Sequence, residues 1–266
     1  MKENIGFLGA GAMGEALIRG LIRARLVPAS QIVAWDVRQE RLRELKAAYG
    51  LETAIGREDL TARADIILLA VKPQNVKEAL DGIQIGNGKL VISIIAGVTL
   101  AELASFLGAV PLVRAVPNTP ALVGEGMTAL AANDLVGPED LDKAVAVFRA
   151  VGRALVLPEG QLNAVTGLSG SGPAYIYVLI EALADGGVRQ GLARPVALEL
   201  AAQTVLGAAR MVLDTGEHPA VLKDKVTSPA GTTIAGLAVL EDRGFRGAVL
   251  RAVEAAALRA GNLSKE

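Results

Sequence analysis

Ile5-Gly6-Phe7-Leu8-Gly9-Ala10-Gly11-Ala12-Met13-Gly14 runs from an apolar segment into three glycines spaced G-x-G-x-x-G. The hexapeptide alone is a weak signal, and its surroundings make it a strong one. A strand-like run, Asn4–Leu8, enters it, and the amphipathic pattern of Ala12–Ala24 leaves it as a helix. In that setting Gly9 permits the tight turn, Gly11 lets the backbone approach a pyrophosphate, and Gly14 allows close helix–strand packing. The helix start then offers free N–H groups and a positive dipole end to phosphates. Gly9, Ala10, Gly11, Ala12, Met13 and Gly14 are therefore expected to hold a dinucleotide.

Working outward, short apolar runs alternate with amphipathic ones. Ile32–Trp35, Ile66–Ala70, Leu90–Ile95 and Leu112–Val116 read as strands, with helical patterns at Gln39–Tyr49 and Gln74–Leu80. Uninterrupted apolar runs suit strands covered on both faces, as in a parallel sheet with crossover helices. Gly126–Ala132 and Arg153–Leu157 flank the helical stretch Pro138–Ala150 and are expected to extend the sheet. The fold class is α/β, with a Rossmann-like dinucleotide-binding domain over residues 1–158.

The second strand ends in Asp36, where an acidic residue accepts hydrogen bonds from the adenosine ribose and favours NAD. Arg38, two residues on, is placed to pair with a 2′-phosphate and favours NADP. The two signals oppose each other, so NADPH and NADH both stand as cofactors. Val71-Lys72-Pro73 follows Ala70 at the carboxyl edge of the sheet, where ligands bind in this fold class, and Pro73 fixes the backbone beside Lys72.

Beyond Pro158 the strand pattern stops. Residues 159–266 read as Ala-rich helices: Leu162–Thr166, Pro173–Gln190, Pro195–Thr215, Ala220–Val226, and Thr232–Ala260 with a break near Gly244. Aromatic residues make up only 3% of the 266-residue chain, against 52% hydrophobic. A helical half built mainly of alanine and leucine is expected to close its core against a second copy of itself.

The bulk numbers exclude several classes. With 27 basic and 28 acidic residues, no general field draws the chain to nucleic acid or an anionic membrane. The absence of cysteine excludes disulfides, thiolate catalysis and sulfur-ligated metals. The lone histidine, His218 beside Pro219, reads as structural, and no metal site is expected. Leu90–Ala101 is too short to cross a membrane, and Leu162–Ile180 is interrupted by Asn163, Gly167, Gly170, Gly172 and Pro173. Met1-Lys2-Glu3-Asn4 leads straight into a strand without signal-peptide architecture, so a cytoplasmic location is expected.

Three more segments narrow the reading: Arg114-Ala-Val-Pro-Asn-Thr-Pro-Ala121, Gly167-Leu-Ser-Gly-Ser-Gly-Pro-Ala-Tyr175 and Val226-Thr-Ser-Pro-Ala-Gly-Thr-Thr-Ile234. In that order, after Gly9–Gly14 and Val71-Lys72-Pro73, they resemble the pyrroline-5-carboxylate reductase family over nearly the whole chain. The resemblance implies a Rossmann-like domain followed by a helical domain that interlocks into a homodimer, with dimers assembling into larger rings. It implies reduction of 1-pyrroline-5-carboxylate to L-proline, the last step of proline biosynthesis, by NADPH or NADH. By motif position it places nicotinamide-side contacts at Ala70, Val71, Lys72, Ala96 and Asn118. The substrate carboxylate falls at Ser228, Gly231, Thr232 and Thr233, with the Thr233 hydroxyl at the ring nitrogen. Val116 departs from the methionine frequent before Pro-Asn-Thr-Pro, and Asp36 is less expected in a family that often prefers NADPH.

The chemistry agrees with the residues. Ketone reduction needs a proton donor for the developing alkoxide, and this chain offers one histidine and three tyrosines. A cyclic imine takes its proton at nitrogen before the hydride arrives, so orientation, a carboxylate anchor and exclusion of water suffice. Ser228-Pro-Ala-Gly-Thr-Thr233 opens a helix with hydroxyls and unpaired N–H groups, which suits a small anion. β-Hydroxyacid dehydrogenases share the two-domain plan but carry a lysine four residues after the last glycine of Gly-x-x-Gly-x-Gly. Here Gly167, Gly170 and Gly172 are followed at that place by Ile176, which has no proton to give. A non-catalytic nucleotide sensor would need no second pocket of the Ser228–Thr233 kind.

Overall fold

In the computed structural model, which describes residues 1–263, the strands and helices alternate from the start. The order is β1 (Ile5–Leu8), α1 (Ala12–Arg23), β2 (Ile32–Trp35), α2 (Gln39–Tyr49), β3 (Glu52–Thr53), α3 (Arg57–Arg63), β4 (Ile66–Leu69) and α4 (Val76–Leu80). It continues with β5 (Leu90–Ser93), α5 (Leu100–Leu107), β6 (Leu112–Val116), β7 (Gly126–Ala132), α6 (Pro138–Arg149) and β8 (Gly152–Val156). One eight-stranded sheet results, ordered β3-β2-β1-β4-β5-β6-β7-β8. β1 through β6 are parallel, β7 runs antiparallel to β6, and β8 returns parallel to β7. Gly126–Ala132 and the Arg153 run do extend the sheet.

Period-two alternation sends the strand side chains to two cores. Ile5, Phe7, Ile32 and Ala34 point to the layer of α1, α2 and α6 and meet Leu17, Leu21, Leu45 and Phe148. Leu8, Val33, Ile67 and Leu69 point the other way, to Leu60, Leu80 and Leu103. Strands buried on both faces explain why β1, β4 and β5 read as unbroken apolar runs. Fully burying a leucine or isoleucine stabilises the fold by about 1.5–3 kcal/mol, so the stripe of Leu17, Ile18 and Leu21 seats α1 firmly. Gly20 takes that helix closer still, since a Cβ there would lie 2.2 Å from Val151 Cγ1.

By contacts the chain resolves into two compact units. The first holds Met1–Gly170 and the end of the chain from Ala256, and the second is Ser171–Ala255. A short helix α7 (Leu162–Val165) and a π-turn over Thr166–Gly170 close the continuous part of the first unit. The second contains α8 (Gly172–Arg189), α9 (Arg194–Thr215), α10 (Pro219–Lys225) and α11 (Thr232–Asp242), and α12 (Phe245–Leu263) begins in it. The expected break near Gly244 is real, and Gly244 takes φ +70° there. α8 and α9 pack along Ala184, Ala197 and Ala201, with Ile180 and Val188 at the margin. α9 is long and apolar enough to cross a membrane by length and composition, with 11% of its apolar window buried within the chain.

Candidate functional site

Strand order reverses between β1 and β4, so the turns leaving their carboxyl ends stand side by side. Ligands of open α/β sheets bind at such a switch point. Gly9 sits there at φ +93°, and a Cβ on it would lie 2.7 Å from the Ala70 carbonyl oxygen. Its N–H donates to the Trp35 carbonyl at 2.8 Å, while Ala70 N–H donates to Leu8 at 2.8 Å. Gly14 stacks α1 onto the turn, its absent Cβ 3.1 Å from the Gly9 carbonyl oxygen. Gly11 differs from both: nothing lies within 4 Å of where its Cβ would be. It is the N-cap of α1 with no side-chain cap, so the helix's first N–H groups face open space. That is the fit a pyrophosphate requires.

The space is a cleft of about 590 Å³, lined by Gly9, Gly11, Asp36, Arg38, Ala70, Val71 and Lys72 among others. Residues of three separate sequence signals thus meet on one surface. Pro73 opens a 3-10 turn, Pro73–Asn75, just beyond, and Asn75 N–H donates to the Lys72 carbonyl at 2.9 Å.

Asp36 has a second task. Its Oδ2 accepts the buried Ala10 N–H at 2.9 Å, and its Oδ1 accepts Arg38 N–H at 2.9 Å and Arg38 Nε at 3.2 Å. Burial opposes its charge, but these donors outweigh it and hold the carboxyl below its usual range. The carboxylate therefore ties the glycine turn to β2 while facing the cleft. Arg38 lies mostly in solvent, its side chain 63% exposed.

Several working residues gave no local sequence signal. Arg41 donates through Nε to the Ala10 carbonyl at 2.9 Å and pairs with Glu15, which also accepts the Tyr49 hydroxyl at 2.8 Å. The Arg41 hydrogen bond is the main cause holding the Glu15 carboxyl low. Ala10 is thus gripped at both its N–H and its carbonyl. Arg57, at the start of α3, lines the cleft and donates to the Glu78 carbonyl. Trp35 and Val37, which also line it, flank Asp36 and were within reach of a sequence reading.

Ala96 and Gly97 form the turn between β5 and α5, with Ala96 exposed and Gly97 at φ +80°. Asn118 is buried and doubly engaged: Oδ1 accepts Met127 N–H at 2.8 Å and Nδ2 donates to the Ser169 carbonyl at 3.0 Å. It joins the loop after β6 to the π-turn of Thr166–Gly170.

In the helical unit, Ser228, Gly231, Thr232 and Thr233 gather at the start of α11. Gly231 is its N-cap, again without a side-chain cap. Ser228 Oγ lies over Gly231, where a Cβ would stand 2.2 Å from it. Ala230 holds φ +53°, a left-handed conformation that costs an L-residue about 1–2 kcal/mol. Ser228 and Thr232 are exposed, Gly231 and Thr233 half-buried. The outcome is a glycine-backed helix tip carrying three hydroxyls, suited to a small carboxylate. His218 accepts Ala220 N–H through Nδ1 at 3.2 Å as the cap of α10.

Residues 159–263 match the family model described as pyrroline-5-carboxylate reductase dimerisation. Residues 4–97 match that described as NADP oxidoreductase, coenzyme F420-dependent. The chain is 47% identical over 267 residues to a pyrroline-5-carboxylate reductase of Synechocystis sp., covering all of both chains. Among solved structures, it is similar to a pyrroline-5-carboxylate reductase from Coxiella burnetii at TM-score 0.92 and 37% identity, covering all of both chains. A Plasmodium falciparum pyrroline carboxylate reductase with NADP bound aligns at TM-score 0.88 and 32% identity, over 99% of this chain and 98% of the other.

Proposed function

The chain belongs to the pyrroline-5-carboxylate reductase family, and on that premise we propose how its own residues carry the reaction. It is an NAD(P)-dependent oxidoreductase that reduces 1-pyrroline-5-carboxylate to L-proline, the closing step of proline biosynthesis, and it works as a homo-oligomer on a small-molecule substrate. The observation that carries the nucleotide half is the turn at Gly9–Gly14. It is fastened through Ala10 on one side and left open at Gly11 on the other.

The bound cofactor supplies hydride to the imine carbon. Around that event the protein binds and orients. Gly9 to Gly14 and the start of α1 take the pyrophosphate, and Asp36 and Arg38 take the adenosine ribose or its 2′-phosphate. Ala70, Val71, Lys72, Pro73, Ala96 and Asn118 border the nicotinamide. Ser228 and the N–H groups around Gly231, Thr232 and Thr233 hold the substrate carboxylate, so the anion is anchored by a helix tip rather than by an arginine. The Thr233 hydroxyl sits at the ring nitrogen and accepts the iminium N–H. The C=N π electrons become the new amine lone pair as the hydride reaches carbon, and the proton already on nitrogen stays there. No general acid need act at that instant, in keeping with a chain whose one histidine caps a helix.

The helical domain, residues 159–266, pairs two copies into a homodimer, and dimers associate further into a ring in the cytoplasm. The test is a steady-state assay of purified protein with 1-pyrroline-5-carboxylate and each cofactor. Consumption of NADPH or NADH with L-proline as product is expected; folded protein inactive with both would refute the assignment. Thr233→Ala should raise the KM for the imino acid at least tenfold and leave cofactor Kd within twofold. Equal losses in both would place the substrate elsewhere.

A further inference from the structure

The nicotinamide half of the cleft depends on a turn that carries little hydrogen bonding of its own. Asp36 and β2 mark the adenosine side of the switch point, and β5, beyond β4 in the sheet, carries its turn on the opposite side. The β5 turn, Ala96–Gly97, leads through Thr99 into α5. Thr99 and Glu102 form a capping box: Glu102 N–H donates to Thr99 Oγ1 at 3.2 Å and Thr99 N–H to Glu102 Oε2 at 2.6 Å. A second carboxylate then reaches the same helix start from 59 residues away. Glu159 Oε1 accepts the N–H of Leu100, the first residue of α5, at 2.8 Å.

The same oxygen accepts a hydrogen bond from Arg114 Nη1 at 3.0 Å. Arg114 projects from β6, its side chain 6% exposed, and its Nε has no hydrogen-bond partner among the described residues. A guanidinium so enclosed is costly unless a counter-charge is present, and Glu159 is that counter-charge. The ion pair therefore fixes Glu159, and Glu159 fixes the start of α5. The far side of the turn is buttressed as well, for Leu263 of α12 lies 3.7 Å from where a Gly97 Cβ would be.

We propose that Glu159 is a positioning residue for hydride transfer. Held by Arg114, it clamps the β5–α5 turn at the height the nicotinamide ring requires, without touching the cofactor. The proposal rests on Ala96 bordering the nicotinamide. It predicts a loss confined to the nicotinamide half of the dinucleotide, whereas a merely structural role would lower stability and weaken every ligand together.

The full-length enzyme separates these cases. NADPH, NADH and ADP-ribose, which lacks the nicotinamide, are titrated into wild type, Glu159→Ala, Glu159→Gln and Glu159→Asp, and kcat and KM are measured alongside. Glu159→Ala should weaken the preferred reduced cofactor about tenfold or more and lower kcat, with ADP-ribose affinity within twofold of wild type. Glu159→Gln keeps an oxygen for both N–H groups but leaves the enclosed Arg114 charge unpaired, so it should lower stability while retaining more affinity for the reduced cofactor than Glu159→Ala. Glu159→Asp keeps the charge beside Arg114 and falls one methylene short of Leu100. It should show the same selective loss, and it decides the matter if Glu159→Ala does not fold. Parallel loss of ADP-ribose and reduced cofactor, or no change in folded Glu159→Ala or Glu159→Asp, would overturn the proposal. A wild-type enzyme that binds neither ADP-ribose nor reduced cofactor would remove the nucleotide reading along with it.

Discussion

Gly9 and Gly11 stand two residues apart and answer to different demands. Gly9 is required by the fold: φ +93° and an Ala70 carbonyl oxygen 2.7 Å from its missing Cβ leave no room for a side chain. At Gly11 the fold makes no such demand, because its missing Cβ meets nothing; on the function proposed above, it is the pyrophosphate that needs the space. Gly9→Ala should destabilise the protein by about 1–3 kcal/mol in chemical denaturation. Gly11→Ala should leave stability within about 0.5 kcal/mol and still weaken the dinucleotide at least tenfold. Titration through Trp35, the only tryptophan and a lining residue of the cleft, reads that affinity. Asp36 combines both demands. Asp36→Ser should move the kcat/KM ratio toward NADPH by removing a carboxylate from beside the 2′-phosphate, and should also cost stability through the lost Ala10 tether. Because its folded pKa is lowered, the carboxylate stabilises the native state above the unfolded value near pH ~4. That contribution is lost as pH falls through the folded value. Acid unfolding of Asp36→Ser should therefore show a shallower fall in stability below pH ~4; an unchanged slope would show that the tether contributes nothing.

At the scale of elements, the capping box at Thr99 marks where the start of α5 is most exposed to mutation. Thr99→Ala should cost about 1 kcal/mol, read as a shift of the urea midpoint without change in slope. A larger cofactor defect than that stability loss explains would point to the turn that α5 follows. α5 is also an element the sequence pattern did not yield, although Thr99-x-x-Glu102 is a legible helix-start signal. The apolar residues of Leu90–Ala101 run continuously into it, and a continuous run hides a strand end and a helix start inside one stretch. α3 and β3 escaped for another reason. Seven and two residues are too short for periodicity, and α3 buries little beyond Leu60 and Thr61. Longer elements were plain, and α2 spans Gln39–Tyr49 as its pattern predicts. The site divides likewise. The glycine turn is legible because its backbone dictates the residue type, and Asp36 and Lys72 because each follows a readable strand at its carboxyl end. Arg41, Arg57 and the Arg114–Glu159 pair are not, since each acts across 21 or more residues of chain on a backbone or charge that only folding brings near.

For the whole molecule, the two units are stabilised in unlike ways. The sheet unit has large leucine, isoleucine and phenylalanine clusters on both faces. The helical unit has, as its described buried cluster, Ala184, Ala197 and Ala201, while Leu198, Leu206, Met211 and Leu213 of α9 lie about half exposed. Apolar surface left open in this way calls for a partner, and Leu206→Glu should reduce the particle mass seen by size-exclusion chromatography with light scattering. Wild-type mass in that variant would move the contact to another face. The alanine seam has one more consequence. A lone helical unit has little interior of its own, so dilution should act on it as a denaturant: by mass action its melting temperature should climb with the logarithm of enzyme concentration, and nanomolar stocks should fade on standing while micromolar ones keep their activity.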